Sequence, residues 1–348
     1  MLVLCECCGE MDCAGTGMVS ERKIKGIGLL SGGLDSVLAV KVLQEQDLDL
    51  LGVTFSTPFF GPELALEAGR KADIPVEVVD ITELHLAMLW NPRYGFGRYM
   101  NPCIDCHGLM LREAGRLMKA RGADFLFTGE VLGQRPMSQR RDAMRSVEKL
   151  SGMEGLILRP LSAKLLPPTV VELDGRVDRE RLMDIHGRSR KRQIELAARY
   201  RIYEYPNPAG GCLLTKEGFV RKLKDLMARS APPGRRDLEL LRRGRHFRLP
   251  FGNKCVVGRN QLDNAKLEAL VGLDWVRLQV LDYPGPLAVV PISTTVPESD
   301  LVMTTRILAA YCDAPMESWV TVEWQHGGVC GRVRVAKEAS AVFSHHLI

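Results

Sequence analysis

The chain has 348 residues, more than one typical domain, so a lone small module is excluded and two or three domains are expected. Its net charge of +5 is mild, so a polyanion site has to come from local clustering. No apolar run approaches the roughly 20 residues of a membrane span, and no basic, apolar and small-residue leader opens the sequence.

The expectation is therefore a cytoplasmic protein with no membrane contact, in which ten cysteines serve as ligands, nucleophiles or core residues rather than disulfides. Four of them, Cys5, Cys7, Cys8 and Cys13, crowd residues 1–20, read as a tail; a second metal site there is conceivable. Ile24 to Leu30 reads as a short buried strand, and Val37, Leu38, Val40, Val42 and Leu43 recur with mostly helical spacing. Between them lies Ser31-Gly32-Gly33-Leu34-Asp35-Ser36, a glycine turn at a strand-to-helix junction. Such a turn is an anion cradle: the glycines allow positive φ and close approach, the serines add hydroxyls, and the helix start offers unpaired N–H groups.

Leu48 to Phe55 is strand-like, Pro62 to Ala72 helical, Val76 to Ile81 a strand, Leu109 to Arg121 helical, and Phe125 to Gly129 a strand ending in a turn. The alternation predicts a doubly wound, mostly parallel α/β sheet that binds ligands beyond the carboxyl ends of its strands, where Ser31, Ser56 and Thr128 fall. Asp178 to Arg201 reads as one or two basic helices leading to Cys212. Phe219 to Leu241 is helical but broken at Ala231-Pro232-Pro233-Gly234. Short strands follow at Cys255 to Val257, Trp275 to Leu281, Leu287 to Val290, and in a hairpin of Val320 to Trp324 and Val329 to Val335. The division expected is a domain over 21–216, a helical linker over 217–234 and a smaller α+β domain over 235–348.

Asn101-Pro102-Cys103-Ile104-Asp105-Cys106 sets two thiols at a spacing that suits one metal, one cluster or a redox pair. Cys212 stands in a glycine-rich loop. Cys255, Cys312 and Cys330 are expected in the core or beside it, His107 is set aside as structural, and His85 and His186 have no partner pattern.

Ser-Gly-Gly-Leu-Asp-Ser resembles the PP-loop of ATP pyrophosphatases, which adenylate an oxygen and release pyrophosphate. Asn-Pro-Cys-Ile-Asp-Cys, Gly-Gly-Cys and Thr128-Gly129-Glu130-Val131-Leu132-Gly133-Gln134 are similar to segments of PP-loop enzymes that thiolate tRNA, 4-thiouridine synthetases and 2-thiouridylases among them. The resemblance, over residues 24–216, implies ATP and Mg2+ as cofactors. Ser31, Gly32, Gly33 and Ser36 would bind phosphate, Asp35 would orient the loop or the magnesium ion, and Ser56 and Gly129 would lie near the adenosine. In cluster-dependent members three cysteines hold a 4Fe-4S cluster with one iron open to sulfur, which implies Cys103, Cys106 and Cys212 as catalytic ligands. A persulfide and disulfide pair, or zinc, remains open for the same thiols.

Between Lys216 and Lys254 there are 12 basic residues against 4 acidic. Arg243, Arg245, His246 and Arg248, with Phe247, suit phosphate contacts and stacking, and Arg188, Arg190, Lys191 and Arg192 form a second basic group. Arg243 to Leu249 and Lys254 to Asn260, which includes Arg259, are similar to an NFACT-type RNA-binding module over residues 235–335. The function expected is an ATP-dependent tRNA sulfurtransferase, with tRNA as partner and sulfide or a cysteine desulfurase as sulfur source; a homodimer is left open. The alternatives are a PP-loop amidotransferase acting on a small molecule and a non-catalytic RNA-binding protein.

Overall fold

The computed structural model describes residues 22–206, 211–228, 233–292 and 296–348. The expectations for Cys5, Cys7, Cys8 and Cys13, and for most of the glycine-rich lead-in to Cys212, lie outside these residues. Among the described residues no helix is long and apolar enough to cross a membrane.

The N-terminal unit alternates strands and helices: β1 (Lys25–Leu29), α1 (Leu34–Gln44), β2 (Asp49–Ser56), α2 (Glu63–Ala72), β3 (Val76–Asp80), α3 (Thr82–Trp90), α4 (Cys103–Ala120), β4 (Phe125–Thr128), α5 (Arg141–Ser151) and β5 (Ile157–Leu158). The five strands pair in parallel in the order β3-β2-β1-β4-β5. Both faces of the sheet are covered. Leu34, Leu38 and Val42 of α1 pack with Phe125 and Phe127 on one side, while Leu111, Ala114 and Met118 of α4 pack with Ile27, Val53 and Leu126 on the other. Such double burial is why the strands read as unbroken apolar runs. Gly26 and Gly28 make room for the rings of Phe125 and Phe127, to which a Cβ would come within 2.6 and 2.2 Å.

Short α6 (Val170–Leu173) and then α7 (Lys191–Arg199) close the α1 side, the latter through Leu196 and Ala197. The segment expected as a linker holds α8 (Glu217–Met227), followed by α9 (Arg235–Leu241). Phe219, Val220 and Leu223 of α8 and Leu238 and Leu241 of α9 share one apolar cluster with Phe59, Leu86, Leu89 and Met100.

The C-terminal unit is an antiparallel sheet of β6 (Arg245–Arg248), β7 (Lys254–Val257), β8 (Val276–Val280), β9 (Leu287–Val290), β10 (Trp319–His326) and β11 (Val329–Ala336), in the order β11-β10-β8-β9-β7-β6. Helix α11 (Glu298–Ala310) packs through Ile307 and Leu308 on one face, and α10 (Gln261–Leu270) packs with α9 on the other.

Candidate active site

The strand order reverses at β1, between β2 and β4, and the loops after β1 and β4 therefore meet at the carboxyl edge of the sheet. Gly32 has φ +76°, and a Cβ there would lie 2.4 Å from the Leu64 carbonyl carbon, so conformation and space both demand glycine. Gly33 caps α1, and its carbonyl takes the Ser36 N–H at 3.1 Å, which leaves the Leu34 and Asp35 N–H groups without intrahelical partners. Gly33 N–H donates to Ser31 Oγ at 3.3 Å, and Ser36 Oγ–H donates to the Gly33 carbonyl at 2.7 Å.

Asp35 lies in that first turn. Burial raises its carboxyl above the usual range, opposed by a 2.7 Å hydrogen bond from Gln134 and by the positive charges of Arg190 and Arg135. Its Oδ1 is buried and has no hydrogen-bond partner among the described residues. Gln134 is itself fixed by a 3.0 Å bond from buried Gln193. Gly129 sits against the turn, and a Cβ on it would come within 2.5 Å of Asp35 C and Ser36 N. Gly129 thus lies directly against the glycine turn, and Ser56 ends β2 at the same edge.

The thiols occupy the neighbouring stretch. Cys103 and Cys106 fall in the first turn of α4, six residues earlier than the helical spacing predicted, and Cys212 precedes a 3-10 turn, Leu213–Thr215. That turn is tied down by Leu213 N–H to the Phe59 carbonyl at 3.0 Å. All three cysteines are free and half-buried. Burial raises the Cys106 thiol well above its ordinary value, and Cys212 and Cys103 raise it further; burial also pushes Cys212 up to about 11, with Cys103 adding to the effect. Cys103 and Cys212 are thus near enough to Cys106 for their charge to act on its thiol.

Among the described residues no group of three or more His, Cys, Asp or Glu has the spacing for a single metal ion. The three thiols are soft donors, the type that zinc and iron–sulfur groups take.

One continuous segment joins the two halves. Glu130, directly after Gly129, bonds His107 Nδ1 at 3.0 Å beside Cys106 and pairs with buried Arg159 at 3.0 Å. Further on, Met137 Sδ lies 3.6 Å from Asn101 Nδ2, which in turn donates to Cys103 Sγ at 3.3 Å. Burial would raise the Glu130 carboxyl, but Arg159 and His107 outweigh it and hold it at about 2, below its ordinary 4.5. The stability this contributes is present above pH 4.5 and lost as pH falls toward 2. Glu130→Gln is expected to cost about 3 kcal/mol, because Arg159 keeps only Glu148, and to flatten the acid limb of stability; urea unfolding at neutral and acidic pH checks both.

Sequence reasoning passed over His85. It is fully buried beside Phe59 and Phe60, with Nε2 3.5 Å from Cys106 Sγ, and burial lowers it to about 4. No local pattern could reveal a partner that lies 21 residues downstream.

The basic residues divide. Arg188, Lys191 and Arg192 are exposed, Arg192 pairing with Asp184 at 2.6 Å. Arg190 turns inward over the Tyr205 ring, within electrostatic reach of Asp35. Arg243 is 3.9 Å from Glu239, Arg245 lies over Tyr311, Arg248 pairs with Asp225, and Arg259 pairs with Asp263 at 2.6 Å. His246 is a correction. Only 1% exposed, it bonds the Arg243 carbonyl from inside the module, so its ring is not on offer to a base.

An α/β unit with a glycine turn and three free cysteines is thus joined to an antiparallel module. Residues 244–341 match the model of the NFACT protein RNA binding domain. The chain is 33% identical over 120 residues to the tRNA-specific 2-thiouridylase MnmA of Clostridium acetobutylicum, covering 29% of this chain and 34% of that protein. It is 30% identical over 144 residues to the MnmA of Desulforamulus reducens, covering 34% and 38%. The chain thus spans about a third of the length of the curated relatives it matches. Among solved structures, a predicted subunit of tRNA methyltransferase from Methanocaldococcus jannaschii aligns at 17% identity and TM-score 0.32, over 51% of this chain and 76% of that one. NMN synthetase from Francisella tularensis aligns at 14% identity and TM-score 0.26, over 54% and 90%.

Proposed function

We propose that the protein is an ATP-dependent tRNA sulfurtransferase. The observation that carries this reading is the 128–139 segment, which touches the glycine turn through Gly129 and Gln134 and, through Glu130 and Met137, touches His107 and Asn101, the residues that flank Cys103 and Cys106. One segment would thus link a nucleotide held at the turn with sulfur held at the thiols.

A pyrimidine carbonyl is a poor electrophile, and its oxygen leaves only once activated. The carbonyl oxygen attacks the α-phosphorus of ATP and pyrophosphate departs; sulfur then bonds to the base carbon, and AMP carries the oxygen away. Ser31, Gly32, Gly33 and Ser36 would hold the phosphates with N–H and hydroxyl groups, aided by Arg190, and the unpartnered Asp35 Oδ1 would accept Mg2+. Cys103, Cys106 and Cys212 would carry the sulfur. A 4Fe-4S cluster on these thiolates would supply an open iron that stabilises sulfide as a nucleophile at neutral pH. The 244–341 module, with Arg243, Arg245 and Arg259, would hold the tRNA, and sulfide or a desulfurase would supply sulfur.

Purified protein given ATP, Mg2+, sulfide and unfractionated tRNA without oxygen is expected to yield a thionucleoside by mass spectrometry, together with AMP and pyrophosphate. Asp35→Asn is expected to abolish both. ATP cleavage that ignores tRNA and responds to ammonia instead would overturn the reading in favour of an amidotransferase.

A further inference from the structure

The loop entering α4 reads Asn91-Pro92-Arg93-Tyr94-Gly95-Phe96-Gly97-Arg98-Tyr99-Met100-Asn101, aromatic and arginine residues separated by glycines with no acid among them. Tyr94 and Phe96 are 40% and 43% exposed, and Arg93 and Arg98 are exposed with no carboxylate partner among the described residues. The Arg93 guanidinium lies 5.9 Å from the centroid of the Tyr94 ring, and the open parts of both rings can still take a flat partner.

The loop does not hang free. Asp105, a buried carboxylate between the two thiols of α4, accepts the N–H groups of Arg93 at 2.8 Å and Tyr94 at 3.0 Å. Gly97 N–H donates to the Asn101 carbonyl at 3.0 Å, and a Cβ on Gly97 would come within 2.6 Å of Met137 Sδ, on the segment that reaches the PP-loop-like turn. The exposed rings are therefore fastened to the helix turn that bears Cys103 and Cys106.

We infer that this loop is the platform on which single-stranded RNA stacks at the mouth of the site, Tyr94 and Phe96 receiving unpaired bases while Arg93 and Arg98 meet flanking phosphates. The inference rests on the tRNA reading above and adds where the nucleobase is received. Any base offers a π face to an aromatic ring, and a base has to leave its stack before its carbonyl can be modified, so flat rings beside the sulfur pocket match the substrate's needs. The arginines add a salt-sensitive contribution. A protein partner would leave Arg93 and Arg98 facing unmatched charge unless it brought acids of its own.

The test uses the full chain with a short single-stranded RNA carrying 5-iodouridine. After irradiation, adducts are expected on Tyr94 or Phe96 as well as within residues 244–341. Tyr94→Leu and Phe96→Leu, surface changes that spare the fold, are each expected to weaken single-strand binding about tenfold while leaving binding of a duplex of the same sequence unchanged, and Trp at either position restores it. Arg93→Ala with Arg98→Ala is expected to lower the slope of log affinity against log salt by about 1.4. A wild-type protein that thiolates tRNA while its adducts fall only within 244–341, and whose leucine variants bind normally, overturns the platform and leaves the sulfurtransferase standing. One that neither binds nor thiolates tRNA overturns both.

Discussion

Gly129→Ala is expected to slow pyrophosphate release from ATP about a hundredfold, through the position of α1. Its φ is not left-handed, so the objection to a side chain is space alone. The added carbon would lie 2.5 Å from Asp35 C and Ser36 N, backbone atoms that cannot swing aside as a side-chain tip can. Relief requires α1 to withdraw from β4, and α1 brings the cradle's N–H groups with it. A shift of about 1 Å at such donors costs on the order of a hundredfold in rate, while overpacking costs about 1–3 kcal/mol of stability. The expected signature is a protein that still melts cooperatively but binds ATP weakly in calorimetry. Gly218→Ala, in α8 with open space around it, serves as the control and should stabilise by about 0.5 kcal/mol.

Cys212→Ser is expected to separate the two half-reactions. The hydroxyl occupies nearly the same volume, and the turn stays anchored by Leu213 N–H on the Phe59 carbonyl and by Thr215 Oγ1–H on the Cys212 carbonyl at 2.7 Å. Nucleotide activation should therefore survive. Oxygen is a poor ligand for iron in a sulfur cluster and forms no persulfide, so thiolation should fall by about 10³-fold or more. Retained iron with normal thionucleoside yield in this variant would remove Cys212 from its assigned place. Pyrophosphate exchange and nucleoside mass spectrometry, run on one preparation, read both halves.

Periodicity and glycine placement made the parallel sheet legible, because strands buried on both faces read as apolar runs and helices such as α2 and α4 kept an apolar stripe. Helix α3 escaped notice because Thr82 to Trp90 is apolar almost all round and shows no stripe. The first turn of α4 was hidden behind Asn101 and Pro102, which read as loop. At the site, the glycine turn and the spacing of Cys103 and Cys106 could be read locally. The Glu130–Arg159 pair, the contact of His85 with Cys106 and the inward turn of Arg190 join residues far apart in sequence, and only the fold reveals them. His246 looked like part of a basic surface because its neighbours are arginines, yet both faces of the sheet around it are covered.

Helix α8 begins five residues after Cys212, and its Asp225 clasps Arg248 of β6 while Lys222 holds the Leu241 carbonyl at 2.6 Å. The Cys212 turn and the antiparallel sheet are thus two ends of one short rod. On the proposed function, reciprocity ties the two ends: whatever change in grip accompanied loading of the thiols would be matched by an equal change in loading when the transcript docked, so an empty carrier and a charged one would differ in their hold on the same nucleic acid.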